Sequence, residues 1–236
     1  MKTNILNINF DVIQIDDATQ KLINAIENNE KCFVVTPNPE IVMIAQKDLE
    51  LKKIINSADL VIADGIGIVL ASKFNKIKIK NRVAGYDLVQ KFFSMSKNYK
   101  IYFLGSSTQI IELAKKNMQE KFKNINIVGA HNGFFDNNEE IINQINLLNP
   151  DVLLVGMGAP KQEKWIYKYK DKLNAKVFIG IGGSFDVMSG KIKRAPTIFQ
   201  KLGLEWFYRL IKQPKRFWRM LALPKFLAAV LLKKFS

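Results

Sequence analysis

The sequence predicts an α/β fold: a Rossmann-like, mainly parallel sheet with helices on both faces, followed by a helical C-terminal appendage. Three observations predict it. Short apolar runs, such as Leu60-Val-Ile-Ala63 and the run within Asp151–Gly156, alternate with longer stretches of helical periodicity, the pattern of repeated βαβ units. The runs are apolar nearly throughout, as strands covered on both faces require. Most run straight into Gly, Pro, Ser, Thr or Asp, so polar residues gather at strand carboxyl ends, where open parallel sheets bind their ligands.

Taken in order, residues 4–15 predict two short strands meeting near Phe10-Asp11. Asp17 is placed as the N-cap of a helix to about Glu27, with Ala18, Leu22, Ile23 and Ile26 on its inner face. Lys31–Val35 is a buried strand that ends in Thr36-Pro-Asn-Pro-Glu40, a stiff loop because each proline restricts itself and the residue before it. A helix with Ile41, Ile44 and Ala45 inward follows. Leu60–Ala63 is the next strand, with Asp64, Gly65-Ile-Gly67 and a helix opening at Ile68 directly behind it. Lys73–Lys80 is polar and basic, and Arg82-Val-Ala-Gly-Tyr-Asp87 leads into a helix carrying Leu88, Val89, Phe92 and Phe93.

Lys100–Leu104 is a strand, and Gly105-Ser-Ser-Thr108 is a turn whose hydroxyls should cap the helix Gln109–Phe122 and whose N–H groups could meet a phosphate. Ile125–Ala130 is a strand and Glu139–Leu148 a helix. Asp151–Gly156 is a strand that enters a helix through a Gly-rich turn, Gly156-Met-Gly-Ala-Pro-Lys-Gln-Glu-Lys-Trp165. Lys176–Gly180 is the last strand, ahead of Gly182-Gly-Ser-Phe-Asp186 and Gly190-Lys-Ile-Lys-Arg-Ala-Pro196. Thr197–Lys212 is expected as one helix with Phe199, Leu202, Trp206, Phe207 and Leu210 on its apolar side. Pro214 should interrupt it, Lys215–Leu221 form a second, and Pro224 break the chain again. Two units are thus expected, a core over 1–196 and a basic helical appendage over 197–236.

The 236 residues carry a formal charge of +15, distributed unevenly. From Lys191 onward there are twelve basic residues and one acid, Glu205, a net +11; the first 190 residues, with 24 basic and 20 acidic, carry +4. A nearly neutral body with a basic end points to an anionic partner met at that end. Basic residues interleaved with Trp206, Tyr208 and Trp218 and with short apolar faces suit a helix lying in a membrane interface. No run of about 18 apolar residues is present to span a bilayer, and Met1-Lys2-Thr3-Asn4 opens no apolar core of signal-peptide length.

A single cysteine, Cys32, rules out a disulfide framework and sits in a strand as a core residue; a single histidine, His131, argues against a Ser-His-Asp triad or a multi-His metal site. No dinucleotide fingerprint follows a strand, no phosphate-loop motif occurs, and no Asp-x-Asp pair is present to hold a divalent ion on a diphosphate. If a nucleoside diphosphate leaves, arginines must meet its charge. Arg209, Arg216 and Arg219 are spaced to lie near one helical face, provided that Pro214 does not turn them apart. Asp64 reads in two ways. At the lip of a crevice, partial burial would raise its pKa and suit it to take a proton; or it caps the helix behind it. Thr36 and Asn38 hold the same architectural position, with turn and cap chemistry as their plain reading.

These motifs, in this order, together with Phe103-Leu-Gly105, Gly133-Phe-Phe135, Pro150-Asp151 and Glu205-Trp206 with Arg209, resemble the WecG/TagA/CpsF glycosyltransferases, glycosyltransferase family 26, from about residue 30 to 220. The resemblance implies a Rossmann-like core and an appendage that completes the site at the membrane. It implies transfer, with inversion, of an N-acetylmannosamine-type sugar from a UDP donor to a polyprenyl (undecaprenyl)-diphosphate-linked N-acetylglucosamine, for teichoic acid or another surface polysaccharide. By motif, Asp64 matches the catalytic base; Thr36, Asn38, Arg82 and Gln162 match substrate-pocket residues; and Arg209, Arg216 and Arg219 match arginines that meet diphosphate. No metal and no cofactor are expected. The expected partners are the donor, the lipid-linked acceptor and an anionic membrane surface, with a second copy of the chain left open and no nucleic acid. The expected location is cytoplasmic, on the inner face of the membrane. UDP-N-acetylmannosaminuronic acid or UDP-glucose as donor, and a non-catalytic polyanion binder, stand as alternatives.

Overall fold

The computed structural model describes residues 1–212, 214 and 217–235, with the side chains of residues 201, 209, 234 and 235 outside that description. The chain opens with an antiparallel hairpin, β1 (Lys2–Ile5) and β2 (Ile8–Asp11), separate from the main sheet. Helix α1 (Ile15–Glu27) follows. Its N-cap is Gln14, not Asp17; Asp16 and Asp17 lie in the first turn, where their charge suits the positive end of the helix. Strand β3 (Cys32–Val35) leads to α2 (Pro39–Lys47) and α3 (Leu49–Ser57); β4 (Leu60–Val61) leads to α4 (Ile66–Ser72) and α5 (Gly85–Met95). Next come β5 (Lys100–Gly105), α6 (Thr108–Lys121), β6 (Asn126–His131), α7 (Asn138–Leu148), β7 (Val152–Gly156), α8 (Lys161–Tyr169), β8 (Val177–Gly180) and the short α9 (Ser184–Met188). The N-cap of α6 is Ser107, but no side chain caps it, so the expected hydroxyl cap is absent.

The main sheet has six strands in the order β4-β3-β8-β7-β5-β6, and every neighbouring pair is parallel. All six carboxyl ends therefore lie along one edge. Each face carries its own core. One packs Phe33, Val35, Leu104 and Phe178 against α2, α3, α4, α7 and α8; the other packs Val34, Ile101, Phe103 and Ile179 against α1, α5, α6 and α9. Adjacent strands β3 and β8 thus send their following helices to opposite faces, which opens a crevice between their ends.

The C-terminal region holds α10 (Thr197–Lys201), α11 (Glu205–Lys212), α12 (Phe217–Met220) and α13 (Ala222–Phe235). The single helix expected over 197–212 is two helices. Gly203 sits at φ +72°, and Ile66 approaches within 2.8 Å of where its Cβ would be, so the chain turns sharply there. Pro224 does not break the chain: it lies in the first turn of α13, where an N–H has no helical acceptor to lose. Arg209 and Arg219 lie on different helices, not on one face of a continuous helix. Helix α13 lies on α2 and α4, and Phe226 is fully buried with their side chains in the core. Among the described residues no helix is long and apolar enough to cross a membrane.

Candidate active site at the strand carboxyl ends

A cleft of about 490 Å³ lies along the carboxyl edge of the sheet. Its floor comes from the loops after β3, β4, β5, β7 and β8, and part of its wall from residues within 203–206 and 219–223 of the C-terminal region. Thr36, Asn38, Asp64, Arg82, Gln162 and Arg219 all line it. Arg216 lies outside the described residues, and for Arg209 only the backbone, within α11, is described.

Asp64 stands at the end of a strand that stops early. Ile62 N–H still donates to the Val35 carbonyl of β3 at 3.0 Å, but past it the backbone bonds to loops: Val83 N–H donates to the Ala63 carbonyl at 3.0 Å, and Asp64 N–H to the Pro37 carbonyl at 3.2 Å. Leu60 to Ala63 are buried and Asp64 is half-buried. Helix α4 is capped by Gly65, with no side-chain cap bond, so the cap reading of Asp64 fails and its carboxylate sits at the cleft lip. Asn38 does cap: its Oδ1 accepts from Ile41 N–H at 3.0 Å. The buried Thr36 hydroxyl donates to the Gly180 carbonyl at 3.2 Å, tying the end of β3 to the end of β8.

Gln162 holds two loops together. Its Oε1 accepts from Gly158 N–H at 3.2 Å and from Gly182 N–H at 3.0 Å, so the turns after β7 and β8 share one acceptor. Its Nε2 donates to Glu163 Oε1 at 2.8 Å. Gly180 makes room for this amide, since a Cβ there would lie 2.8 Å from Nε2. Glu163 is only 1% exposed, and its Oε2 has no hydrogen-bond partner. Burial pushes its pKa up, partly offset by the Gln162 bond.

Each arginine of the cleft whose side chain is described is matched by a carboxylate. Arg219 makes two bonds to Glu40, Nε–Oε1 at 2.7 Å and Nη2–Oε2 at 3.1 Å. Arg82 Nη2 donates to Glu205 Oε2 at 2.8 Å. Arg194 forks onto Asp87 at 2.5 and 2.8 Å and lies over the Tyr86 ring. The sequence reading gave no site role to Glu40, Tyr86, Asp186, Arg194 or Glu205, which line the cleft as well. Glu40, Tyr86, Asp186 and Arg194 sit inside motifs already singled out, and Glu205 beside Trp206 in another. Arg194 and Asp87, however, are 107 residues apart, and no local pattern joins them.

An open parallel sheet with carboxylates and guanidinium groups gathered in one crevice at its strand carboxyl ends defines an α/β enzyme site. A sequence model of the Glycosyl transferase WecG/TagA/CpsF family matches residues 3–236. The chain belongs to that family. It is 37% identical over 208 residues, 87% of this chain and 81% of the other, to a protein of Bacillus spizizenii (strain W23). It is 35% identical over 230 residues to one of Bacillus subtilis (strain 168), covering 97% and 89% of the two chains. A Staphylococcus aureus (strain MW2) protein is 35% identical over 231 residues, 96% and 91%. All three are named N-acetylglucosaminyldiphosphoundecaprenol N-acetyl-beta-D-mannosaminyltransferase.

Proposed function

We propose that this chain is an inverting glycosyltransferase. It moves an N-acetylmannosamine-type sugar from a UDP donor to an undecaprenyl-diphosphate-linked N-acetylglucosamine, the acceptor that its relatives' names specify, in teichoic acid or related surface-polymer synthesis. The observation that carries this reading is Asp64 at the lip of a cleft that it shares with Arg82 and Arg219. In a single displacement, Asp64 takes the proton of the acceptor hydroxyl as that oxygen attacks the anomeric carbon. The guanidinium groups, Arg209 and Arg216 among them, meet the charge growing on departing UDP. The wall formed by residues within 203–206 and 219–223 keeps water from the donor. We assign 1–196 as the core and 197–236 as an appendage that lies on the anionic inner face of the membrane.

The test is donor profiling with the full chain and a short-chain prenyl-diphosphate N-acetylglucosamine acceptor. Transfer from UDP-N-acetylmannosamine, with inversion and in the presence of EDTA, is the expected outcome. Transfer only from UDP-N-acetylmannosaminuronic acid or UDP-glucose would replace the donor. No transfer from any of the three, with polyanion binding retained, would overturn the enzymatic reading.

A further inference from the structure

One corner of the cleft is built from four charged side chains drawn from three separate stretches of chain. Glu205 opens α11. Its Oε2 takes a hydrogen bond from Arg82, as above, and its Oε1 lies 3.6 Å from Arg194 Nε. That Nε is buried and has no hydrogen bond. Arg194 is held independently by its fork to Asp87 and by Tyr86, whose ring centroid is 4.8 Å from Cζ. Two positive and two negative groups meet, and the Glu205 side chain is only 11% exposed and that of Arg82 19%. Charges this far out of water need each other, and deleting one strands its partner.

The four groups do not depend on each other equally. Arg194 keeps Asp87 if Glu205 is lost. Arg82 keeps nothing comparable: among the described residues Glu205 is the one side chain hydrogen-bonded to it. A long guanidinium side chain without a partner regains its rotamer freedom. Glu205 is also the point where α11 enters the buried part of the site, in the helix's first turn, where a carboxylate is favoured. The Arg219–Glu40 tie between the C-terminal region and the core differs in kind. Arg219 of the Glu40 pair is 53% exposed, so salt screens that pair far more than the Glu205 corner.

We infer that Glu205 is a positioning residue: one carboxylate fixes both the Arg82 guanidinium in the cleft and the start of α11 over it, and Arg209 lies one turn further along that helix. The inference rests on the proposed transferase reaction for its rate measurement alone.

The test uses the full chain carrying Glu205→Gln, which keeps shape and removes charge, with Glu40→Gln for comparison. Amide hydrogen exchange, in the absence of any substrate, should rise about 10-fold or more over residues 205–212 in Glu205→Gln, while strands 152–156 and 177–180 keep wild-type protection. Glu40→Gln should leave 205–212 protected. Unchanged exchange at 205–212 in Glu205→Gln would overturn the inference, and so would a rise of equal size in the strands, which marks a global loss of stability. In the transfer assay, Arg82→Gln and Glu205→Gln should each lower kcat/KM by about 10- to 100-fold, and the double variant by no more than the worse single one, because Glu205 acts through Arg82. Multiplying losses would overturn that coupling. A protein that transfers no sugar at all would sink the transferase reading while the exchange result still decided the role of Glu205.

Discussion

Asp64 is held by its backbone rather than by its helix. The Pro37 carbonyl fixes its N–H, and Gly65 takes the N-cap of α4, so the carboxylate is not spent on capping that helix. Asp64→Asn keeps the size of the side chain, so it should still fold cooperatively and lose turnover by a factor of about 10² to 10⁴, as removal of a general base does; near wild-type turnover in the folded variant would remove Asp64 from the mechanism. Its place at the cleft was legible in the sequence because a buried run followed at once by an acid puts that acid at a strand's carboxyl end. The work of Gln162 was not, since it depends on the N–H groups of Gly158 and Gly182, from the turns after two different strands, arriving at one oxygen. Glu163 beside it allows a test by pH. An unfolded chain releases this proton in the ordinary carboxylate range, whereas the folded chain, with its pKa raised by burial, holds it longer. Between those values the folded state binds more protons, so stability falls as pH rises. Glu163→Gln keeps an acceptor for Gln162 and removes that cost. It should melt higher than wild type at pH 8, by about 2–4 °C for each kcal/mol recovered, with the gap closing towards pH 4; thermal melts showing an equal or opposite gap would contradict it.

At the scale of elements, the strands were readable because each is covered on both faces and must be apolar nearly throughout. The end of the chain was misread for a physical reason. Apolar spacing continues in register across Leu202-Gly203-Leu204, yet Gly203 adopts a backbone conformation that ends α10 and restarts the chain at α11. Pro224 misled in the opposite direction, because a proline in a first turn begins a helix as readily as one further in breaks it. Helix α13 then does what an appendage drawn as a separate arm would not. It covers α2 and α4 and buries Phe226 completely. Phe226→Ala should cost about 3–5 kcal/mol, the range for a large aromatic removed from a packed core, read as a lowered urea midpoint at unchanged slope. A loss under about 1 kcal/mol would show that the site collapses freely or that α13 is not seated in solution. By the same logic, a chain cut after Pro196 loses part of its core along with its basic end.

Across the whole molecule, charge and exposed apolar surface coincide in the C-terminal region. Over 197–236 it has nine basic residues and one acid, +8 of the +15 net charge. It also exposes Ile198, Leu202, Phe207, Ile211, Phe217, Trp218 and Leu232, with Trp218 at 79% and Leu232 at 71%. A core this well filled has no need to leave so many large apolar side chains in water within one forty-residue segment, and such patches mark contact surfaces. Cationic residues near an anionic bilayer contribute about 1 kcal/mol each, and inserted apolar side chains add to that without a spanning helix. The full chain should therefore sediment with vesicles containing phosphatidylglycerol and stay in solution with phosphatidylcholine alone. Raising salt from about 0.1 to 0.5 M should weaken binding without abolishing it, because screening reaches the charges but not the buried rings. Trp218→Ser removes one exposed ring and no charge, so it should weaken binding severalfold at both salt concentrations, whereas Lys225→Gln should weaken it at low salt alone. Sedimentation that ignores vesicle charge, or a Trp218→Ser protein that binds as wild type does at high salt, would mean that the basic, aromatic end of this chain meets something other than a membrane.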